Sequence, residues 1–413
     1  MEMGDSMTEL DQKIRDEFPV LRDRETVYLD NGATSQKPQC VIDAVQHYYE
    51  HYNANPMRGL YDISVEATDA YEESRRVVAD FIHAAKPEEI IYTRNTTESM
   101  NLLAYSYGQK FLGEGDEIIV AVTEHHSNFL PWKEVATRNG AKIVWFDCEQ
   151  DGELKPEKLQ ELVNEHTKLV AVTQLSNVIG RINDVKKFAE IAHSVGAVIV
   201  VDGAQSVPHM PVDVQDLDVD FLAFSGHKMF APMGIGVLYG KMEHLKAMPP
   251  FFYGGEMIEY VFKDRVKYSD VPHKFEAGTV NVGGAIGLME AIKFIQRYGW
   301  DVIMEREDDI TRYAMEKIAK IPHVHVIGSQ KPEEHHGLIT FTIDDVHPHD
   351  IAAIFDSAHV AVRAGHHCAQ PLHKHLGLFS TTRVSFAFYN NHDDIDAFID
   401  CLSKIRGLMG YKD

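Results

Sequence analysis

The sequence predicts an α/β protein with a mostly parallel sheet covered by helices, followed by a smaller α+β domain. Short apolar segments alternate with helical patterns between residues 89 and 240, as in sheets built from βα units. This alternation stops after Gly240, and the later strands are more typical of an antiparallel arrangement. The 413 residues are also too many for one small core. We therefore expect a large domain over residues 26–290 and a smaller domain formed by residues 1–25 and 291–413.

The first ninety residues contain three helical patterns and one short strand. Apolar side chains recur at helical spacing over residues 7–18, until Pro19 ends the pattern. A strand is predicted at 27–30 and a helix at 39–52. A longer amphipathic helix is predicted at 64–82, with Ser64 as its N-terminal cap.

The βα region contains apolar strands that are followed by polar residues. The strands are predicted at residues 90–94, 118–122, 142–146, 169–173, 197–202 and 220–224. A helix is predicted to begin at 95–99, and two more span 155–163 and 184–195. Because parallel strands end at the same edge of a sheet, the polar residues after them should line a ligand crevice.

The remaining chain alternates helices and strands less regularly. Helices are predicted at residues 284–297, 300–320, 350–358 and 393–408. Strands are predicted at 338–343, 360–362 and 383–388. These elements are expected to form the smaller domain.

Composition and charge exclude several classes of protein. The formal net charge of −23 argues against a nucleic-acid partner, because a phosphate backbone would be repelled. No segment approaches the ~18 apolar residues of a membrane helix, and residues 1–15 lack the apolar core of a secretory signal. The four cysteines lack Cys-x-x-Cys spacing, so neither a disulfide framework nor a four-thiolate zinc site is indicated. We expect a protein of the reducing cytoplasm with no nucleic-acid or membrane partner.

A lysine and an aspartate each follow a buried strand. Lys228 comes after the strand that stops at Ser225-Gly226, and Asp202 ends the preceding strand. A lysine amine can condense with an aldehyde, and an aspartate can keep a pyridine nitrogen protonated. The pair indicates pyridoxal 5′-phosphate as a cofactor. The alternative is that Lys228 is an ordinary solvated loop lysine.

The segment Asn95-Thr-Thr-Glu-Ser99 begins a helix with adjacent hydroxyls and free backbone amides. Such a helix start can bind a phosphate group. A simple helix cap explains the same residues equally well.

A second focus is Arg363-Ala-Gly-His-His-Cys368-Ala-Gln-Pro371, where a cysteine lies on a turn-rich loop. Two histidines and an arginine beside it would favour a thiolate and hence a reactive cysteine. A buried, inert cysteine is the structural alternative. The cluster formed by His366, His367, His373, His375 and Cys368 also raises the possibility of zinc, but typical ligand spacing is missing, and no metal site is predicted.

Taken together, these motifs resemble the PLP-dependent cysteine desulfurases of the class V aminotransferase family, fold type I. The resemblance rests on Ser225-Gly-His-Lys228, Val201-Asp-Gly-Ala-Gln205, Glu124-His-His126, Ser176-Asn177 and Arg363-Ala-Gly-His-His-Cys368, and it extends over nearly the whole chain. The Suf-type branch is the most similar. The resemblance implies a mostly parallel seven-stranded sheet in the large domain.

The resemblance also implies roles for individual residues around the cofactor. Lys228 bonds to the cofactor aldehyde and later moves the Cα proton, while Asp202 pairs with the pyridine nitrogen. His125 stacks on the ring and assists proton transfer, and Gln205 contacts the ring hydroxyl. The implied phosphate-binding groups are the Thr96 amide, Thr97, Ser225, His227 and, in the partner subunit of a homodimer, Thr279.

The implied substrate is L-cysteine. Asn177 and Arg383 would bind its carboxylate, since arginine favours bidentate contacts, and Arg363 and Arg58 would also serve the substrate site. Cys368 would attack the substrate sulfur, leaving L-alanine and a persulfide that supplies sulfur for iron–sulfur cluster assembly. Three alternatives remain: a selenocysteine lyase, a class V aminotransferase that does not need a cysteine, and a non-catalytic sulfur-carrier scaffold.

Two features concern the mouth of the site and the partner. Many Suf-type relatives have histidines on both sides of the arginine that corresponds to Arg58, but here the loop reads Met57-Arg-Gly-Leu-Tyr-Asp62. The segment His347-Pro-His349-Asp resembles the desulfurases that hand sulfur to a small zinc-containing acceptor. There His349 would replace an acceptor thiolate on the zinc, because imidazole is a competent zinc ligand. The alternative is that His349 only caps a helix or is solvated.

Overall fold

A computed structural model describes residues 8–411. Residues 1–7, which the sequence assigns to the smaller domain and whose last member begins the first predicted helix, lie outside the described residues, as do residues 412–413. The helices are α1 Glu9–Asp16, α2 Pro19–Asp23, α3 Gln39–His51, α4 Asp62–Phe81, α5 Thr96–Leu103, α6 Gln109–Phe111, α7 Leu130–Asn139, α8 Pro156–Leu162, α9 Val185–Ser194, α10 Met242–Ala247, α11 Val282–Tyr298, α12 Trp300–Ile318, α13 Pro348–Ser357, α14 Gln370–His375 and α15 His392–Leu408.

The strands follow the predicted rhythm over most of the chain. They are β1 Val27–Tyr28, β2 Ile90–Thr93, β3 Glu117–Ala121, β4 Lys142–Phe146, β5 Thr167–Thr173, β6 Val198–Asp202, β7 Phe221–Ser225, β8 Gly236–Gly240, β9 Ile258–Val261, β10 Val266–Tyr268, β11 Val324–Val326, β12 Leu338–Ile343, β13 Val360–Ala361, β14 Arg363–Gly365 and β15 Thr381–Ser385.

Within residues 8–411 the large sheet has seven strands in the order β2-β8-β7-β6-β5-β3-β4. All neighbouring pairs are parallel except those of β8, which is antiparallel to both β2 and β7. Two apolar clusters cover the two faces of the sheet, and strands β6 and β7 are buried along their whole length. Strands buried on both faces have the continuous apolar sequence that predicted a covered parallel sheet. The predicted fold class is therefore confirmed.

The second sheet is antiparallel, as expected, with the order β11-β12-β15-β14. Helices α12, α13 and α15 supply apolar side chains to its core. The segment before residue 26 contacts this region, because Arg15 pairs with Asp394 at 2.8 Å and Phe18 packs against Phe388 and Tyr389. The predicted boundary at residue 290 falls inside α11, a helix that packs against α3 and α4.

The structure corrects the predicted start of α4. Ser64 does not cap this helix: it lies inside the first turn, buried, and its hydroxyl donates to the Asn55 carbonyl at 2.7 Å. The helix instead begins after Tyr61, which makes no side-chain capping bond. A hydroxyl near a helix start resembles a cap in sequence, but here the preceding loop offers it a closer partner. The sequence also gave no prediction for α7, β8 or the β9–β10 hairpin.

Among residues 8–411, the helices are all too short or too polar to cross a lipid bilayer.

Candidate active site

A cavity of about 290 Å³ lies where β5, β6 and β7 end and α5 begins. This is the edge of the sheet at which open α/β folds bind ligands. Its lining contains most of the residues that the sequence singled out. They are Thr96, Thr97, His125, Asn177, Asp202, Gln205, Ser225, His227, Lys228, Arg363, Cys368 and Arg383, together with Gly32, Ala33, Asn95, Ser127, Thr173, Ala204 and His367.

Lys228 and Asp202 both line this cavity. Lys228 ends a 3₁₀ turn, Gly226–Lys228, that directly follows β7. Burial lowers the pKa of Lys228 to about 8, although the negative charge of Asp202 opposes that shift. Burial also raises the pKa of Asp202, whose Oδ1 accepts a hydrogen bond from the Ala204 amide at 2.9 Å. Because its pKa lies near 8 instead of 10.5, a larger fraction of the Lys228 amine is unprotonated near neutral pH, and the unprotonated amine is the nucleophilic form.

At the start of α5, Asn95 acts as the cap and leaves the next two residues for another partner. The Asn95 side chain accepts from the Glu98 amide at 2.9 Å. The Thr96 amide and hydroxyl contact the Ser225 hydroxyl at 2.9 and 2.8 Å. The Thr97 hydroxyl lies 2.7 Å from that of Ser127. Asn95 provides the helix cap, and other residues provide a group of hydroxyls that we call the hydroxyl cluster. Its members are Thr96, Thr97, Ser127 and Ser225.

This end of the cavity is rich in hydrogen-bond donors. His227 lies beside the hydroxyl cluster, and its buried Nδ1 has no partner among the described residues. Hydroxyls, an imidazole and helix-start amides together form a typical anion site. Ser127 is a member of this site that the sequence analysis missed, although it lies three residues after the highlighted Glu124. The sequence pattern that could have identified Ser127 is a hydroxyl residue shortly after a buried strand, the same pattern that identified the other hydroxyl residues of the site.

The His125 ring is neutral in this environment. Burial lowers the pKa of His125 to about 3, and the nearby Lys228 charge acts in the same direction. The Ser127 amide donates to His125 Nδ1 at 3.1 Å, so the proton of the neutral ring lies on Nε2.

Gln205 also lines the cavity. Its Nε2 donates to the Gly32 carbonyl at 2.9 Å. The Gln205 side chain is buried.

Cys368 lies on an exposed loop between β14 and α14. The His126 amide donates to the Cys368 carbonyl at 2.7 Å, and Asn177 Nδ2 donates to the His367 carbonyl at 2.7 Å. Both His367 and Cys368 have left-handed backbones, with φ of 50° and 56°. Consecutive non-glycine residues in this region are strained, and such strain is concentrated at functional sites. Two hydrogen bonds from the large domain thus hold a strained cysteine loop over the cavity.

The nearby histidines have structural contacts. His367 and His373 both place Nε2 within hydrogen-bond distance of the Thr381 hydroxyl, at 2.9 and 3.0 Å. His375 Nε2 lies 2.8 Å from the Cys148 carbonyl. Burial lowers the pKa of His367 to about 2. Each of these three rings therefore places its Nε2 against a protein oxygen.

The two arginines of the site differ in exposure and partners. Arg383 is buried, and its Nη1 donates to the Asn177 carbonyl at 2.8 Å, while its buried Nε has no partner among the described residues. Arg363 forms a bidentate pair with Asp30, a residue that the sequence analysis did not select. Asp30 lies shortly after β1, and Asp202 ends β6. An acidic residue at a strand end is therefore the sequence pattern that could have identified Asp30.

Three predicted site residues lie outside this cavity. Arg58 is exposed and pairs with Glu256 at 2.9 Å. Thr279 is exposed on the loop before α11. His349 is exposed in the first turn of α13, where His347 acts as the cap by accepting from the His349 amide at 3.2 Å.

Comparison with known proteins gives a consistent result. The family model described as aminotransferase class-V matches residues 27–398. A protein of Halalkalibacterium halodurans named "probable cysteine desulfurase" is 49% identical, over 97% of this chain and 98% of that protein. One of Staphylococcus aureus with the same name is 46% identical, over 99% and 100%.

Two solved structures have the same fold over nearly the whole chain. The cysteine desulfurase CsdA of Escherichia coli, in an S-sulfonic acid form, superposes with a TM-score of 0.90 at 39% identity, covering 96% of this chain and 98% of that one. The cysteine desulfurase of Thermococcus onnurineus, in its apo form, superposes with a TM-score of 0.92 at 41% identity and the same coverage.

Proposed function

The chain belongs to the aminotransferase class-V family, and from this we propose that it is a pyridoxal-phosphate-dependent cysteine desulfurase. It converts L-cysteine to L-alanine and retains the sulfur as a persulfide on Cys368. The observation that supports this most directly is the position of Cys368 on a strained, exposed loop that lines the same cavity as Lys228 and Asp202.

The residues present suit the cofactor at both ends. Among the described lining residues Asp202 is the one carboxylate, and its negative charge raises the pKa of Lys228. The unpartnered His227 Nδ1 and the hydroxyls of Thr97 and Ser225 can hold the phosphate. When bound, pyridoxal phosphate supplies an electron sink that acidifies the Cα proton and labilises the bond from Cβ to sulfur.

Three side chains of the cavity would act on the substrate, each in a different role. The Arg383 guanidinium, buried beside Asn177, can hold the substrate carboxylate in a fixed orientation. The Lys228 amine, with its lowered pKa, can accept and return a proton at Cα. The neutral His125 ring can carry a proton at Nε2 for the substrate side chain.

Cys368 performs the sulfur transfer. Its thiolate attacks the substrate sulfur, a sulfur–sulfur bond forms, and the bond between that sulfur and Cβ breaks. The electron pair of the broken bond stays with the carbon fragment, which becomes alanine after protonation. A loop position allows Cys368 to meet the substrate and then present the persulfide to solvent.

The decisive experiment is Cys368→Ser. We expect loss of alanine and persulfide formation from L-cysteine by at least about a hundredfold, because a serine hydroxyl is neither ionised at neutral pH nor able to carry sulfur. The cofactor absorbance should stay unchanged. Cys148→Ser is the matched control, since burial raises the pKa of that thiol to about 12 and keeps it inert. A class V aminotransferase would retain activity in Cys368→Ser, and that result would refute the desulfurase assignment.

We further propose that the enzyme is a homodimer of the Suf-type branch, works in the cytoplasm and supplies iron–sulfur cluster assembly through a small zinc-containing acceptor. The proposal for the acceptor rests on His349. This side chain is exposed, whereas His347 is engaged as the helix cap. The His347 ring lies 6.4 Å from Phe379, which in turn lies 6.2 Å from His366 on the Cys368 loop. The histidine pair and the persulfide carrier would therefore meet one partner.

We expect His349→Ala to keep the cofactor absorbance and the turnover of cysteine with a chemical reductant. Stimulation by the zinc acceptor should be lost, because the His349 imidazole that would replace a thiolate on the zinc is gone, while the His347 ring is engaged as the helix cap. His347→Ala, the matched control, should reduce stimulation much less. If stimulation survives in His349→Ala, the ligand-exchange proposal is wrong.

A further inference from the structure

The loop between β1 and α3 holds the backbone carbonyl of His227. Lys37 Nζ donates to this oxygen at 2.8 Å, the Thr34 hydroxyl at 3.0 Å and the Ser35 amide at 3.1 Å. A carbonyl oxygen has two lone pairs, so these donors saturate it. The Ser35 hydroxyl also accepts from the Phe230 amide at 2.8 Å. The loop is therefore bound at two points to the turn that follows β7.

Lys37 differs from the other donors because it brings a charge. Its side chain is half-buried, and its ammonium donates to the carbonyls of Ser35 and His227. Burial lowers the pKa of Lys37 to about 7, and no opposite charge among residues 8–411 counteracts that shift. A charge that is removed from water without an ionic partner is unfavourable. The two neutral donors already satisfy the carbonyl, so the ammonium indicates an anionic partner from outside the chain.

The charge of Lys37 acts on the phosphate end of the cavity. Lys37 is not a lining residue, but its charge lowers the pKa of His227, so the ammonium and the imidazole are near enough to interact. His227 does line the cavity, and its buried Nδ1 has no partner in the part of the chain that the structure describes. Lys228 has the same effect on His227, but its amine is the group that bonds to the cofactor aldehyde. Lys37 is therefore the cation that stays available to an anion bound at His227.

We propose that Lys37 is a positioning residue for the cofactor phosphate: it fixes the turn that carries His227, and its charge stabilises the bound phosphate dianion from outside the cavity lining. A bound anion in turn favours the charged form of the ammonium. Charges interact more strongly at a partly buried site than in water, so this stabilisation does not require direct contact. The inference rests on the proposed function, since it requires pyridoxal phosphate as the cofactor.

The test compares pyridoxal phosphate with pyridoxal, which has the same ring and aldehyde but no phosphate. Cofactor-free protein is titrated with each compound, and the absorbance of the attached cofactor gives Kd. Lys37→Gln is neutral but keeps a donor for the His227 carbonyl. In this variant we expect Kd for pyridoxal phosphate to rise about tenfold, the size of one charge interaction at an effective dielectric constant of about 20. Kd for pyridoxal should change less than about twofold.

Further variants separate the charge of Lys37 from its hydrogen bond. Lys37→Arg keeps the charge and should keep Kd for pyridoxal phosphate within about threefold of the original value. Thr34→Val is the matched control, because it removes a neutral donor to the same carbonyl and should leave the ratio of the two Kd values unchanged. A second neutral variant, Lys37→Met, should give the same ratio as Lys37→Gln and serves as the test if Lys37→Gln does not fold.

Equal weakening of both compounds in the neutral variants would show that Lys37 only shapes the turn, and would overturn the proposal. A loss in Lys37→Arg as large as that in Lys37→Gln would overturn it as well. Neither result would affect the proposed desulfurase activity. If the unchanged protein binds neither compound, the proposed cofactor is wrong, and this inference is wrong with it.

Discussion

Lys228, His125 and His367 line one cavity, and burial lowers the pKa of all three side chains. The lysine gains a nucleophilic, basic form near neutral pH, whereas the two imidazoles stay uncharged. Neutral rings beside Arg383 and Lys228 avoid adding further positive charge to a small cavity. The same physical effect thus gives each group the protonation state that the proposed chemistry needs.

The lowered pKa of Lys228 gives a pH-dependent prediction. When cofactor-free protein is mixed with pyridoxal phosphate, attachment to Lys228 requires the unprotonated amine. We expect the rate to rise about tenfold per pH unit below about 8 and to level off above it. Stopped-flow absorbance, followed by borohydride reduction and mass spectrometry, measures the rate and the site.

Asp202→Asn provides the matched variant for this titration. The negative charge of Asp202 raises the pKa of Lys228, so its removal should move the midpoint to lower pH. A midpoint near the ordinary lysine value of 10.5 in the unchanged protein would show that burial does not control this amine.

The sequence was informative about residues whose role depends on their own strand. Lys228 was predicted to follow a buried strand and Asp202 to end another, and the structure has both at these positions; the ends of neighbouring parallel strands lie together. Asp30 was missed because its role depends on Arg363 and Arg383, more than three hundred positions away in the chain. Pairings between distant segments leave no local pattern in a single sequence.

Strand β8, one of the strands that the sequence analysis did not predict, has a direct role in shaping the site. Strand β8 runs against its neighbours and brings Gly236 beside the start of α5. A Cβ at Gly236 would lie 2.6 Å from the Asn95 Cα, so only glycine allows this approach. The apolar sequence of β8 resembles that of any buried strand, and its reversed direction is visible only in its antiparallel pairing with β2 and β7. Direction is therefore decided by tertiary structure.

The loop before α11 is anchored by a buried ion pair. Glu276 accepts from Arg75 at 2.8 Å, from the Tyr71 hydroxyl at 2.9 Å and from the Tyr92 amide at 2.7 Å. Burial alone would raise the pKa of Glu276, but Arg75 and these hydrogen bonds hold it below the ordinary value. The anchor lies three residues before Thr279 and fixes the base of the loop that carries it.

Glu276→Gln should lower the free energy of unfolding by about 3–5 kcal/mol, because it leaves the Arg75 charge buried without its partner. Since the pKa of Glu276 is lower in the folded state, the pair contributes stability above about pH 4.5, and that contribution is lost as the pH falls through the folded value. Urea denaturation at pH 7 and pH 4 measures both effects. Glu134→Gln, which removes an exposed pair with Arg138, should cost less than about 1 kcal/mol. Equal losses in the two variants would contradict the anchoring role.

The molecular surface carries an exposed apolar patch on the β9–β10 hairpin. The β9–β10 hairpin exposes a run of large side chains, namely Tyr260, Val261, Phe262, Val266 and Tyr268. A soluble monomer rarely exposes such a contiguous patch, which is typical of a protein interface. Arg58 contacts Glu256, two residues before the hairpin, and Thr279 lies outside its own cavity. In a homodimer these two residues would complete the partner's site.

Phe262→Asp tests this assembly. Phe262 is 52% exposed, so the substitution should be tolerated by the isolated chain, while a buried carboxylate without a partner should disfavour the interface. We expect sedimentation to give twice the 46.7 kDa chain mass for the unchanged protein and the single-chain mass for the variant. Alanine formation should fall with dimer content, because Thr279 and Arg58 then reach no second site.

Leu408→Asp is the matched control: Leu408 is 68% exposed on α15, and this variant should stay dimeric and active. A monomeric Phe262→Asp protein with full turnover would show that each chain carries a complete site.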